Sequence, residues 1–466
     1  MSEQPNVVLI NCDDLGFGDL GCYGSTRNTT PALDRLAAEG IRFDSFYTAS
    51  PVCSPARAAL LTGCYPPRLG FGSFHGLPVL FPGMDIGLPP TEISLARVLS
   101  DAGYATQAIG KWHCGDQAHF QPTNHGFDHY LGLPYSNDMG RQANRPPILP
   151  EMPPLPLIVD GEVVEQQPDQ ASLTERYVAH ALDFMRRDDG RPFFLYLAHM
   201  YVHVPIYVQE RFAKASKNGA YGAAVASIDW ATQVLLDELD AQGISENTIV
   251  IFTSDNGSLG DNPPPWGSSE PLGGSNDPLR GTKGTTWEGG QRVPGIVRWP
   301  AKIAPGRVSD EIVTAMDLVP TLAEVCGATA PTDRTIDGRD ISPLWFDDDA
   351  ASPHEAFFYY WMNDLEAVRA GRWKLHFSKR GDERRELYDL EADVGETTDV
   401  LAEHLDVAAR LETLAEGARR SMGDARLDRT GDDVRPIGQV DDAAPLTEYD
   451  PEHPYVVAEY DLADRG

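Results

Sequence analysis

The sequence predicts an α/β fold: a large, mainly parallel sheet between helices, followed by a smaller C-terminal α+β unit with an antiparallel sheet. Three observations carry this expectation. Short apolar runs with strand character alternate with segments of helical period over most of the chain, the pattern of a sheet covered on both faces. Around residues 347–353 the chain turns acidic and then breaks into closely spaced strand-like pieces. The 466 residues, 41% of them hydrophobic, suffice for two or three units, or for one large and one small. The boundary falls between 352 and 353, giving units of 1–352 and 353–466.

Residues 6–10 (NVVLI) read as the first strand. Residues 30–39 read as a helix, with Pro31 near its first position, where a missing N–H is tolerated, and Gly40 after its end. A helix at 91–102 and a strand at 107–110 come next, then a helix at 173–187, a strand at 193–198, a helix at 221–242 and a strand at 248–253. The stretch 261–281, rich in Pro, Gly and Ser, reads as a long surface loop near a functional region. Beyond the boundary, strand-like pieces at 357–361, 366–370, 373–377 and 386–388 precede a helix at 407–420. The last forty residues are polar and contain proline, as expected of an arm on the surface or in an oligomer contact.

The net charge of -32 disfavours nucleic acid and anionic membranes as partners and predicts a solvated acidic surface. No apolar run approaches the length of a membrane span, and no charged-then-apolar leader precedes the first strand, so the chain reads as soluble and cytoplasmic. The six cysteines, without a CxxC pair or a Cys/His cluster, predict free thiols and no zinc site. Only seven lysines are present, at 111, 214, 217, 283, 302, 374 and 379, so each one inside a motif counts for more.

In open α/β sheets ligands gather beyond the carboxyl ends of the strands. Four such ends are unusually polar. Cys12, Asp13 and Asp14 follow VVLIN; Lys111 and His113 follow QAIG; His199 and His203 follow FFLYLA; Asp255 and Asn256 follow IVIFTS. Taken singly, each has an ordinary structural explanation, an acid pair capping a turn or a histidine satisfied in a loop. Their shared kind of position is what points to a site. Asp13, Asp14, Asp255 and Asn256 are hard oxygen ligands, a set that selects Ca²⁺ or Mg²⁺ over zinc, with Ca²⁺ more tolerant of mixed carboxylate and amide geometry. Lys111, Lys283, His113 and His203 add positive charge and proton donors, and such a ring around a divalent cation suits a tetrahedral oxyanion. His119, His125 and His129 read as ordinary loop residues.

The sharpest motif is Cys53-Ser54-Pro55-Ala56-Arg57, followed by the helical run AALLTG. Composition alone would place a Cys-x-Pro-x-Arg pattern in such a chain roughly 0.03 times. A buried cysteine ahead of a Pro-started helix is the structural alternative. With this pentapeptide the chain resembles the type I, formylglycine-dependent sulfatases of the alkaline phosphatase superfamily. The resemblance extends in order through NVVLINCDDLGFGDLGCYG, AIGKWHCGD, LPYSNDMG, HMYVHVP, FTSDNGS and LRGTKGTTWEGGQRVPGIVRWP to AGRWKLHF and ELYDL, and looks most similar to the arylsulfatase A and galactosamine-6-sulfatase branch.

The resemblance implies a hydrolase of sulfate esters. Cys53 would be oxidised to formylglycine by a formylglycine-generating enzyme, with Arg57 beside it. Asp13, Asp14, Asp255 and Asn256 would bind Ca²⁺, and Lys111, His113, Ser136, His203 and Lys283 would line the sulfate pocket. By the family mechanism one hydroxyl of the hydrated aldehyde attacks sulfur, helped by the metal and Asp255; His203 and Lys283 protonate the leaving oxygen; His113 takes the proton of the second hydroxyl as sulfate departs. One departure is the strand end AHMYVHVP, where relatives often have a denser His-Thr-His cluster; His203 is taken as the pocket residue and His199 is left unassigned. A phosphonate monoester or phosphodiester hydrolase with the same nucleophile is the alternative reading. The loops at 71–87 and 261–279 are expected to line the leaving-group side.

Overall fold

The computed structural model describes residues 4–141, 151–187, 189–261 and 272–455. Ten strands form the large sheet: β1 (Asn6–Cys12), β2 (Ile41–Phe43), β3 (Ala105–Gly110), β4 (His129–Gly132), β5 (Pro156–Val159), β6 (Glu162–Gln166), β7 (Phe193–Ala198), β8 (Thr248–Ser254), β9 (Gly295–Arg298) and β10 (Arg307–Ser309). Their order across the sheet is β10-β2-β9-β8-β1-β7-β3-β4-β5-β6. The central strands β8, β1, β7, β3 and β4 run parallel, and antiparallel pairings extend both flanks.

The middle strands read as unbroken apolar runs because both of their faces are buried. In β1, Val7 and Leu9 enter one core and Val8 and Ile10 the other, all four with no exposed surface. Helices α1 (Pro31–Ala38), α2 (Cys53–Thr62), α3 (Leu95–Asp101), α4 (Gln170–Met185), α5 (Gly219–Gln242) and α6 (Leu318–Val325) divide between those cores. Apolar residues of α2, α3 and α6 pack on one face, and those of α1, α4 and α5 on the other. Burying each such side chain contributes roughly 1.5–3 kcal/mol.

The second sheet is an antiparallel meander of β11 (Phe357–Trp361), β12 (Asp364–Ala370), β13 (Trp373–Lys379) and β14 (Asp382–Asp389), packed on helix α7 (Leu405–Met422) around a third core. A buried ionic seam joins it to the rest. Glu288 accepts hydrogen bonds from Tyr47 (2.5 Å), Tyr359 (2.6 Å) and Lys374 (2.8 Å). Lys374 Nζ also lies 2.9 Å from Glu396, which receives His376 Nε2 at 2.8 Å and the main-chain N–H of Glu288 at 2.8 Å. Burial opposes the charge on Glu288, yet Lys374, Arg369 and Arg292 override it and hold this carboxyl well below the usual range.

Past α7 the chain returns to the first sheet. Arg435 Nε meets Glu92 at 2.6 Å, Gly438 and Gln439 pair with Gly87 and Ile86, and Thr447 donates to the Pro154 carbonyl. This is the expected polar arm, seen on the molecule's own surface as far as Tyr455; residues 456–466 lie outside the described residues, as do 262–271 of the expected long loop. The sequence reading missed the β5–β6 hairpin. Its turn, Asp160-Gly161 with φ of 46° and 96°, carries the two-residue hairpin signature, but the preceding run of prolines masked the strand it closes. All six cysteines are free, as expected.

Candidate active site

The register of the parallel strands brings the four polar ends together. Cys12 pairs with Ser254, Asn11 with Ala198, and Ala198 with Gly110, so β8, β1, β7 and β3 leave the sheet at one level. The ladder continues one residue further: Asp255 N–H donates to the Cys12 carbonyl (3.0 Å), His199 N–H to Asn11 (2.9 Å) and Lys111 N–H to Ala198 (2.8 Å). Across this edge stand Asp255 and Asn256, then Asp13 and Asp14, then His199 and His203, then Lys111 and His113.

Cys53 is set above them as the first residue of α2, all ten residues of which are buried. Its Sγ donates to Asp13 Oδ1 at 3.3 Å. Burial, and then the charge of Asp13, push the thiol well above its ordinary value, so cysteine as encoded is protonated and weakly nucleophilic. Arg57, one helical turn on and without exposed surface, donates from Nε to Asp255 Oδ2 (2.8 Å) and from Nη1 to the Lys111 carbonyl (2.8 Å). Its Nη2 is buried without a hydrogen-bond partner, 3.9 Å from Asp13.

Two lysines counter the acids. Lys111 Nζ lies 2.5 Å from Asp13 and 3.3 Å from Ser136 Oγ; Lys283 Nζ lies 2.8 Å from Asp14 Oδ2. Burial raises the cost of charge on Asp13, but Lys111, helped by His203, Arg57 and Lys283, holds it ionised. Asp255, desolvated and facing Asp13, is pushed upward. Two carboxylates at one site divide in this way because both cannot ionise freely. His203 Nε2 stands 3.8 Å from Asp14, and its ring is 3.4 Å from Ser136 Oγ.

His113 is held separately. Its Nε2 lies 3.0 Å from the Leu80 carbonyl and must donate to it, which leaves the buried Nδ1, without a hydrogen-bond partner, as the basic nitrogen. Burial and then Lys111 push the ring well below its ordinary value, so it is neutral. No motif or spacing singles out Leu80. Its N–H also donates to Ser54 Oγ at 3.1 Å, so the expected substrate loop reaches the site through main-chain atoms.

The ligand atoms of Asp13, Asp14, Asp255 and Cys53 all lie within 4.8 Å of one another. That spread fits a cation whose oxygen ligands sit at about 2.3–2.6 Å. Asn256 donates Nδ2 to Asp14 (2.7 Å), while its buried Oδ1 has no hydrogen-bond partner, an orphaned acceptor suited to the same cation. All eleven residues expected at the site, from Asp13 to Lys283, are thus at or beside this cluster. His199 is buried with Nε2 unpartnered and pushed down to about 4 by burial; His125 is buried against Trp112; His119 and His129 lie away from the cluster.

Buried Cys53, an acid cluster and a Lys/His ring stand together at the carboxyl edge of an alkaline-phosphatase-like sheet, and the relatives of this chain make it a sulfuric ester hydrolase. The chain belongs to the Sulfatase family, whose model matches residues 5–328. A second model, N-sulphoglucosamine sulphohydrolase, C-terminal, matches residues 282–419. Arylsulfatase A of Homo sapiens is 40% identical over 441 residues, covering 86% of this chain and 84% of that protein. N-acetylgalactosamine-6-sulfatase of Canis lupus familiaris is 41% identical over 390 residues, covering 80% and 72%. The solved structure of PsFucS1 sulfatase from Pseudoalteromonas sp. superposes with a TM-score of 0.81 at 27% identity, covering 94% of this chain and 92% of that one.

Proposed function

We propose that this enzyme hydrolyses a sulfate monoester of an aryl or sugar alcohol, releasing inorganic sulfate, with Cys53 oxidised to formylglycine as the nucleophile. The observation that carries the reading is the seat of Cys53 Sγ, 3.3 Å from Asp13 and inside the acid cluster. A hydrated aldehyde at this position supplies a hydroxyl nucleophile and, unlike a thiol, an exit for the bound sulfate. Asp13, Asp14, Asp255 and Asn256 would hold Ca²⁺, with Mg²⁺ the poorer fit, and the ion when bound supplies Lewis acidity and positive charge next to the nucleophile.

The chain's own residues divide the remaining work. Arg57 fixes Asp255 and, with its unpaired Nη2, orients the residue at 53. Lys111, Ser136 and Lys283 bind the non-bridging sulfate oxygens and stabilise charge shifting onto them in the transition state. His203 and Lys283, both reaching Asp14, stand ready to protonate the leaving oxygen. His113 accepts a proton at Nδ1 when sulfate is expelled, its Nε2 being committed to Leu80. A formylglycine-generating enzyme is the implied maturation partner.

The test combines peptide mass analysis at residue 53 with turnover of an aryl sulfate and an aryl phosphodiester. An aldehyde at residue 53 with preference for the sulfate is expected. Preference for the phosphodiester would instead favour the phosphonate monoester or phosphodiester reading, and an active enzyme with unmodified Cys53 would refute the nucleophile.

A further inference from the structure

The C-terminal arm does more than cover surface. It meets the 71–87 loop and the segment after His113 at several points. Gly438 and Gln439 pair antiparallel with Gly87 and Ile86, and Val440 N–H donates to the Asp85 carbonyl at 2.8 Å. Gln439 Nε2 donates to the Asp85 side chain at 3.1 Å, on the carboxylate that also meets His75 at 2.7 Å. Gln117 grips the arm twice, its Nε2 donating to the Ala444 carbonyl (2.9 Å) and its Oε1 accepting from Ala444 N–H (3.2 Å). The same Nε2 lies 2.8 Å from Asp116, whose other oxygen accepts Gly83 N–H at 2.7 Å.

The far side of this loop is Leu80, with its N–H on Ser54, beside Cys53, and its carbonyl on His113 Nε2. A continuous path of hydrogen bonds and short main chain therefore runs from residues 438–444 to the group that sets which nitrogen of His113 is basic. A cavity of about 530 Å³, lined by Pro89, Gln117, Phe120 and Gly438 among others, lies along the arm. The arm also packs, Ile437 and Leu446 lying against the first core, so its hold on the loop combines those hydrogen bonds with apolar contact. Neither matched family range reaches these residues, since they end at 328 and 419.

We propose that the arm is a positioning element of the active site, with Gln117 and Gly438 as positioning residues: it fixes the loop so that the Leu80 carbonyl holds His113 in its Nε2–H form. The inference rests on the proposed role of His113 as proton acceptor. Two variants of the full chain loosen the arm without touching the catalytic groups. Gln117→Leu keeps volume and removes both bonds to Ala444. Gly438→Ala introduces a Cβ that would meet the Gly87 carbonyl oxygen at 2.8 Å and the Phe120 ring at 2.7 Å, so the pairing has to shift.

Amide hydrogen exchange reads the loop directly, independently of turnover. Leu80 and Gly83 are expected to exchange about 10-fold faster in both variants. Turnover of a small aryl sulfate by aldehyde-bearing enzyme should fall about 10-fold in kcat with KM changed less than about two-fold, since misplacement on the order of 1 Å can reach 10²-fold. Exchange and kcat both at wild-type values would overturn the proposal, and so would a faster loop with unchanged kcat. Wild-type enzyme that carries the aldehyde but cleaves no sulfate ester would sink the functional reading instead, leaving the exchange result to decide whether the arm holds the loop.

Discussion

Replacing Lys374 by methionine keeps the apolar stem of the side chain and removes one buried charge from the seam between the two sheets. Lys374 has no exposed surface, and its ammonium stands 2.8 Å from Glu288 and 2.9 Å from Glu396. Without it two buried carboxylates face each other, and breaking a buried pair from one side costs about 3–5 kcal/mol. A chain of 466 residues has an unfolding entropy of about 1 kcal/mol/K, so this loss lowers Tm by about 3–5 °C. The sign of the pH dependence follows from Glu288. Its folded-state carboxyl lies below the unfolded value, so it stabilises the fold above about pH 4.3 and loses that contribution as pH falls further. Thermal scans of wild type and Lys374→Met should therefore differ most near neutral pH and converge on acidification. Adding Glu396→Gln should recover part of the loss, because Glu396 is the carboxylate left without a cation while Glu288 still meets Arg292 and Arg369. A Tm within about 1 °C of wild type at pH 7 would refute the claim that ion pairing holds this seam.

Four further outcomes are expected. Cys53→Ala should fold with wild-type Tm within about 2 °C and lose turnover entirely, which enzyme assay and calorimetry check together. Lys283→Ala should lower kcat by on the order of 10²–10³, and near wild-type turnover would remove Lys283 from the mechanism. Chelation should abolish activity and lower Tm, and Ca²⁺ at about 100 times its Kd should restore about 2.7 kcal/mol of stability; a Tm indifferent to millimolar Ca²⁺ would count against a calcium site. His199 is held neutral by burial with a value of about 4 against an ordinary 6.5, so it costs about 3 kcal/mol as pH falls through that window. His199→Leu should flatten the acid limb of the stability curve while leaving turnover at neutral pH within a few-fold.

Much of the architecture was legible in the sequence because the central strands are apolar on both faces and bounded by helical periods. The strand 193–198 and the strand 357–361 fall where expected, and others differ by one to four residues at their ends. What escaped was short: β5 and β6 behind a proline run, and β2, β4, β9 and β10, whose three or four residues carry too little pattern. Asp13, Asp14, Lys111, His113, His203, Asp255 and Asn256 were legible because they follow strands in a fold that gathers strand ends, whereas Cys53 and Arg57 were read from their motif and Ser136 from the family resemblance. Main-chain partners were not, since nothing in the identity of Leu80 announces that its carbonyl orients His113. Lysine scarcity was the better clue. Besides Lys111 and Lys283 it marks Lys374 and Lys379, the former in the seam and the latter 2.7 Å from Thr286 on the segment that follows Lys283.

The depth of α2 sets an order of events. Cys53 keeps 2% of its surface, Ala56 1% and Arg57 none, and every residue of the helix is covered by the rest of the chain. An oxidising enzyme acting on this segment would find no handle on the finished molecule. Under the proposed maturation, modification and folding therefore compete for the same stretch of chain, and the winner is fixed for the life of each molecule. A preparation made with too little of the maturing enzyme would hold two populations alike in shape and stability, of which one is permanently silent. Its specific activity would then report the history of synthesis as much as the chemistry of the site.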